Sequence, residues 1–117
     1  MQKINLDSNS VIETIDVGSG PQQIEINGDD LFVSRTYYDS SWNTFHGTSR
    51  ISNINSNQNS EVFVNEYGSG APCGGAVIKH QDSVYRSFNG GLAELNDDLS
   101  LQEPSICLLY TSDAADE

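Results

Sequence analysis

The chain of 117 residues is poor in basic side chains: it has 5 lysines and arginines against 17 aspartates and glutamates, a formal net charge of −12. These basic residues are scattered as Lys3, Arg35, Arg50, Lys79 and Arg86. A protein that neutralises a nucleic-acid backbone needs such side chains clustered on one face. The sequence therefore predicts no nucleic-acid partner, and its acidic balance indicates a solvated surface that avoids anionic partners.

Long apolar runs are also missing. No stretch approaches the roughly 20 apolar residues that a membrane-spanning helix requires. Residues 1–8 lack the apolar segment of a signal peptide. We therefore expect no membrane span. Apolar residues do not recur at helical spacing anywhere in the chain, which argues against helices.

Cysteine is scarce as well, with only Cys73 and Cys107. Residues 107–117, which begin at Cys107 and end at Glu117, resemble the translation of a transposase-adapter sequence used in short-read sequencing. We expect the native sequence to stop near Ile106 and the tail to be adapter read-through. Cys73 is then the single native cysteine, so no disulfide is predicted within the chain. A natural acidic tail is the alternative.

Short apolar stretches alternate with clusters of Gly, Asn, Asp and Ser, a pattern typical of β-strands joined by tight turns. We predict an all-β fold of antiparallel strands. The strands are expected at residues 4–6, 11–17, 23–26, 31–36, 49–54, 61–64, 75–79, 84–87 and 92–95. Residues 37–47 are predicted to form the one long connection.

The order of strands and turns repeats along the chain. Corresponding positions are separated by 47, 50 and 53 residues, as in the pairs Ile4 and Ile51, Gly18 and Gly68, and Phe32 and Tyr85. A third pass begins at Leu92. A period near fifty residues, with four short strands in each unit, is the size of one β-propeller blade.

The turn at residues 17–21, Val-Gly-Ser-Gly-Pro, followed by the strand Leu-Phe-Val-Ser at residues 31–34, resembles the YVTN-type β-propeller repeat. In that family a Val-Gly-x-x-Pro turn precedes a strand of Tyr-Val-Thr-Asn character. Arg35 and Arg86 depart from the pattern.

The resemblance covers most of residues 3–99. It implies that residues 1–106 are a partial propeller of about two blades, which packs against further blades of the same chain. It also suggests an extracytoplasmic location, in the periplasm or at the cell surface. An immunoglobulin-like β-sandwich is the alternative fold.

No cluster of residues in the sequence predicts catalysis. The glycine-rich turns lack the following Lys-Ser or Lys-Thr of a phosphate loop. His46 and His80 are not in a metal-ligand spacing. We therefore predict no catalytic residue, metal or cofactor, and expect a non-catalytic interaction or scaffold module of a cell-surface or envelope protein. The alternative is a fragment of a propeller enzyme, of the lyase or dehydrogenase type, whose catalytic residues lie mostly in missing blades.

The aromatic-rich segment at residues 37–47 is the best candidate for binding. Aromatic side chains in the loops of a rigid β scaffold often contact ligands or partners. We predict that a protein or small-molecule ligand contacts this segment through Tyr37, Tyr38, Trp42 and His46. Packing between blades is the alternative role for these residues.

Overall fold

The computed structural model describes residues 1–55, 60–69, 75–88, 91–102 and 106–107. Within these ranges every regular element is a β-strand, which confirms the prediction of an all-β fold. None of the described residues belongs to a helix long and apolar enough to cross a membrane. The predicted adapter-derived tail lies outside the described residues, apart from Cys107. The strands are β1 (Gln2–Asn5), β2 (Ser10–Thr14), β3 (Pro21–Asn27), β4 (Asp30–Tyr38), β5 (Thr44–Ser52), β6 (Glu61–Ser69), β7 (Val77–His80), β8 (Ser83–Phe88), β9 (Gly91–Glu94) and β10 (Ile106–Cys107).

These strands form three antiparallel sheets. β1 and β2 make a two-stranded hairpin. Sheet I has the order β3-β4-β5-β6, and sheet II has the order β7-β8-β9-β10. Consecutive strands can fold back on one another because tight turns accept left-handed backbone conformations. Gly28 adopts φ +65° between β3 and β4, and Gln81 adopts φ +55° between β7 and β8.

The predicted long connection at residues 37–47 is wrong. β4 continues to Tyr38 and β5 begins at Thr44, so the loop is confined to residues 39–43. The ladder between the two strands runs unbroken from the pair Leu31 and Ile51 to the pair Tyr38 and Thr44. Aromatic residues on both faces of this hairpin hide the alternation of apolar and polar residues by which strands are recognised. The aromatic residues are therefore positioned mainly by a regular hairpin.

One face of sheet I packs against the chain that follows β2. Ile15 and Val17, predicted as the end of the second strand, lie beyond β2 and are buried in one cluster with Leu31, Val33 and Ile51. Removing this apolar surface from water is the main source of stability at this side of the sheet.

The opposite face of sheet I packs against sheet II. Phe32 of β4 is buried in a second cluster with Val77, Val84 and Leu99, and β3 lies beside β7. The central strands β4 and β5 of sheet I are therefore covered on both faces, whereas sheet II has a face that points away from sheet I.

The β3–β4 and β7–β8 hairpins have the same register. Glu25 pairs with Phe32 in the first hairpin, and Ile78 pairs with Tyr85 in the second, 53 residues further along the chain (78 minus 25). Each residue of the first hairpin from 24 to 33 therefore has a counterpart in the second, at the same distance from the turn and on the same face of its sheet.

A side-chain hydrogen bond recurs at the same offset. The Ser34 hydroxyl accepts a hydrogen bond from the backbone N–H of Gln23 at 3.2 Å. The Ser87 hydroxyl accepts one from the backbone N–H of Ala76 at 3.0 Å. In both hairpins a serine thus satisfies a backbone donor near the start of the first strand, where the ladder would otherwise leave it unpaired.

Candidate functional site

A short, internally hydrogen-bonded loop closes the β4–β5 hairpin. Asp39 Oδ1 accepts hydrogen bonds from the backbone N–H groups of Ser41 at 2.8 Å and Asn43 at 2.9 Å, and its Oδ2 accepts one from Asn43 Nδ2 at 3.1 Å. These bonds, first among them the one from the Asn43 side chain, hold the pKa of Asp39 below its ordinary value. The loop conformation is therefore fixed by its own sequence, since aspartate readily bonds to backbone groups that follow it.

Trp42 is presented to solvent by this loop. It adopts φ +64°, a left-handed conformation that is uncommon for a bulky residue. Its exposed fraction is 80%, and that of Tyr38 is 60%. The two ring centroids lie 6.0 Å apart, with the rings tilted by 58°. We call residues 38–43 the aromatic tip. The hydrogen bonds of Asp39 on either side of Trp42 hold this strained backbone under the exposed ring.

Tyr37 belongs to a different cluster, because successive residues of a strand point to opposite faces. Its ring stacks on Phe45, with centroids 5.6 Å apart and an interplanar angle of 14°. Its hydroxyl donates to Glu66 Oε2 at 2.7 Å. That hydrogen bond is the main cause of the raised pKa of Tyr37, and desolvation adds to it. The Tyr37 hydroxyl is thus already engaged within the protein.

Arg35 completes the Tyr37 cluster. Its side chain is fully buried, and Nη2 lies 2.5 Å from Glu66 Oε1. Nη1 donates to the carbonyl of Ser19 at 3.3 Å, and the guanidinium carbon lies 5.9 Å from the Tyr37 ring centroid. Arg35 therefore joins β4, β6 and the segment before β3. Its guanidinium is engaged by groups of the protein itself, among them the half-exposed Glu66 carboxylate, which indicates a structural role.

His46 is buried on β5, with an exposed fraction of 2%. Its Nδ1 lies 3.1 Å from Thr36 Oγ1, and its Nε2 has no hydrogen-bond partner among the described residues. Burial, and then the charge of Arg86, lower the pKa of His46, so the imidazole is neutral near pH 7. Any contribution of His46 to binding acts through the hairpin and not by direct contact with a ligand in solvent.

A buried polar layer joins the two sheets beside His46. Arg86 Nε donates to Thr48 Oγ1 at 3.2 Å, and Arg86 Nη2 donates to the carbonyl of Gly47 at 3.3 Å. The Tyr67 hydroxyl lies 2.9 Å from Thr48 Oγ1 and 2.6 Å from the carbonyl oxygen of Leu99. The carbonyl can only accept, so Tyr67 donates to Leu99 and Thr48 donates to Tyr67.

Burial shifts both ionisable groups of this layer toward their neutral forms. It lowers the pKa of Arg86 against an opposing effect of Tyr67, and it raises the pKa of Tyr67. A guanidinium stays charged at neutral pH even so. The layer is therefore a charged hydrogen-bond network that orients sheet II on sheet I.

Of the four predicted site residues, the structure brings together only Tyr38 and Trp42. Tyr37 lies on the other face of the hairpin, and His46 is inside. Sequence reasoning missed Arg35 and its partners as the support of the hairpin. The signal was present, because a charged residue that directly follows four apolar or small strand residues must find its partners inside the protein.

The two histidines do not meet. His46 is buried near Arg86, whereas His80 lines a hollow on the face of sheet II that points away from sheet I. In the part of the chain that the structure describes, no three His, Cys, Asp or Glu residues are grouped so that they could hold a metal ion. Cys73 lies outside that part.

Asp97 and Asp98 form a turn after β9. Asp98 Oδ1 accepts hydrogen bonds from the backbone N–H of Ser100 at 3.0 Å and from its hydroxyl at 2.5 Å. These bonds, the side-chain one first, lower the pKa of Asp98. The carboxylate thus caps its own turn at the surface.

Comparisons with known proteins identify no relative: no family model matches the chain, and no curated protein or solved structure matches it.

Proposed function

We propose that this chain is part of a non-catalytic β-propeller-type interaction module of a cell-surface or envelope protein, and that its ligand or protein partner contacts the aromatic tip. The observation that carries the proposal is the exposed pair Tyr38 and Trp42 on an internally fixed loop.

The aromatic tip has the physical properties of a binding element. Tryptophan and tyrosine supply large contact areas with few rotatable bonds, and they dominate the energetics of many interfaces. Asp39 already holds the loop through three hydrogen bonds. Less conformational entropy is therefore lost when a partner binds.

The arrangement of sheets supports the propeller part of the proposal. Blades of a propeller are four-stranded antiparallel sheets that pack face to face around an axis. Sheet I has four strands in chain order, and its central strands are covered on both faces. A sandwich would instead place its two sheets around one shared core. The equal register of the β3–β4 and β7–β8 hairpins also favours a repeat.

The test exploits Trp42, the single tryptophan of the chain. The labelled chain and a Trp42→Ala variant are applied to arrays of immobilised oligosaccharides and peptides. A compound bound by the wild type alone is then titrated while tryptophan emission is followed. We expect a saturable emission change in the wild type. Titration calorimetry, which needs no tryptophan, should show a loss of affinity of at least about tenfold for Trp42→Ala, which corresponds to about 1.4 kcal/mol.

Val64→Ala is the matched control, because Val64 is a half-exposed apolar residue on β6, away from the tip. Unchanged binding by this variant assigns the effect to the tip. Binding that is equal for the wild type and Trp42→Ala for every compound, or no binding at all, would contradict the proposal.

A further inference from the structure

An apolar surface is exposed on the edge strand of sheet I. Ile24 and Ile26 of β3 pair with Val33 and Leu31, which belong to the core on the side away from sheet II. Paired residues share a face, so both isoleucines point to that side. Their exposed fractions are 60% and 55%, whereas Leu31 and Val33 are buried under the chain after β2. This exposed pair is the β3 surface.

A second apolar surface lies on the face of sheet II that points away from sheet I. Ile78 pairs with Tyr85, and both alternate with Val77 and Val84, which pack toward Phe32. A hollow of about 210 Å³ is lined there by Ile78, His80, Tyr85 and Leu92. We call this the outer face.

Counterpart residues of the two hairpins relate these two surfaces to the contact between sheet I and sheet II. In the contact between the sheets, Phe32 is 7% exposed and Val77 is 3% exposed, because they pack together. The counterpart of Phe32 is Tyr85, on the outer face, and the counterpart of Val77 is Ile24, on the β3 surface. At these two positions the outer face and the β3 surface correspond to the two sides of a contact that already exists within the chain. The counterparts of Ile26 and Ile78 are Lys79 and Glu25, so the two surfaces are more apolar there than the existing contact.

We infer that the outer face of one molecule docks on the β3 surface of a second copy, head to tail. The second copy is the occupant that the structure argues for, since this chain itself carries both halves of the contact. A contact between two different surfaces is not self-limiting, so it builds rings or open chains. The inference goes beyond the proposed function, because it does not involve the aromatic tip.

Electrostatics sets the expected strength of this association. Each copy carries a formal charge of −12, so like-charge repulsion opposes association. Added salt screens repulsion between exposed charges over about 10 Å at 0.1 M ionic strength. Association should therefore be weak in dilute buffer and should strengthen as salt is added.

Sedimentation velocity of the full chain, from about 10 to 500 µM and at low and high salt, measures the association. We expect the weight-average mass to rise with concentration, to at least about 1.5 times the monomer at the top concentration in high salt. A wild-type chain that remains monomeric throughout overturns the inference.

Variants distinguish head-to-tail docking from other association. Ile24→Asn with Ile26→Asn removes the β3 surface, and Ile78→Asn damages the outer face. All three positions are exposed, so far-UV circular dichroism should be unchanged. We expect each variant alone to be monomeric, and a mixture of the two to form a 1:1 dimer, since each supplies the surface that the other lacks.

The remaining outcomes argue against the inference. Either variant associating alone as strongly as the wild type would show a contact between like faces or nonspecific aggregation. Leu6→Asn is the control, because Leu6 is 83% exposed in the turn after β1 and belongs to neither surface. An equal loss of association in this control would also overturn the inference, because any exposed apolar residue would then suffice.

Discussion

The guanidinium of Arg35 on β4 reaches across β5 to the carboxylate of Glu66 on β6, with Nη2 2.5 Å from Oε1. Gly47 is the β5 residue over which it passes. A Cβ at Gly47 would come closer than 3.0 Å to the guanidinium and to the backbone carbonyl oxygen of Asn65. The ion pair therefore depends on the absence of a side chain at this one position.

Replacing Gly47 by alanine should destabilise the protein. The added methyl group must displace Arg35 or the backbone of β6, and overpacking of this kind costs about 1–3 kcal/mol. Urea unfolding followed by circular dichroism measures the change. Gly28→Ala is the comparison: nothing lies within 4 Å of a Cβ there, so only the left-handed φ opposes alanine. A smaller loss for Gly47→Ala than for Gly28→Ala would show that Arg35 and β6 readily give way.

Replacing Trp42 by glycine and by alanine should separate backbone strain from loss of the ring. Both variants remove the indole, but only glycine adopts φ +64° without a clash of Cβ. We expect Trp42→Gly to unfold at a higher urea concentration than Trp42→Ala. The difference in the free energy of unfolding should be about 0.5–1 kcal/mol. Equal stabilities, or a more stable alanine variant, would indicate that the loop relaxes out of the left-handed conformation in solution.

His46 should make stability depend on pH. Its pKa in the folded protein lies below the ordinary value of the unfolded chain, so the unfolded state binds more protons as the pH falls. The contribution of His46 to the free energy of unfolding is fully present above about pH 6.5 and decreases below it. The slope is at most about 1.4 kcal/mol per pH unit.

Urea unfolding between about pH 5.5 and 7.5, where carboxylates are mostly ionised, tests this dependence. His46→Gln should flatten the profile. His80→Gln, at the exposed end of β7, is the comparison variant for loss of a histidine. An identical slope in wild type and His46→Gln would assign the pH dependence to other groups.

Removing the Tyr67 hydroxyl should weaken the contact between the sheets. In Tyr67→Phe the carbonyl of Leu99 loses its donor and Thr48 loses its acceptor, both in a part-buried site. We expect a loss of about 1–2 kcal/mol in the free energy of unfolding. Tyr38→Phe is the matched control at an exposed position and should change stability by less than about 0.5 kcal/mol. Comparable losses for the two variants would mean that the network contributes nothing beyond an ordinary surface hydroxyl.

β4 was predictable because its apolar residues are bounded by turn residues. In β4, residues 31–33 form a short apolar run that is buried on both faces, and the Asn-Gly turn after β3 marked the hairpin. The β4–β5 hairpin was predicted as a long connection because Tyr37 and Tyr38 are both aromatic and so show no alternation. In the structure, Tyr37 packs on Phe45 and Tyr38 is exposed.

The candidate site was only partly predictable for the same reason. Sequence patterns identify residue types that bind, but the exposure of each side chain depends on which face it occupies. The pairing of Thr36 with His46 placed the imidazole inside the protein. The left-handed conformation of Trp42 arises from the hydrogen bonds of Asp39, and no local pattern of apolar residues reports those bonds.

The equal register of the β3–β4 and β7–β8 hairpins has a genetic consequence. Recombination in the coding DNA could join the codon of Ser34 to the codon after Ser87. This event would delete 53 residues and leave the cross-strand pairs near the turn of the β3–β4 hairpin in register. The reverse event would duplicate one unit just as cleanly. Such a gene can gain or lose whole units by unequal exchange, and the strands of the resulting protein still pair in register.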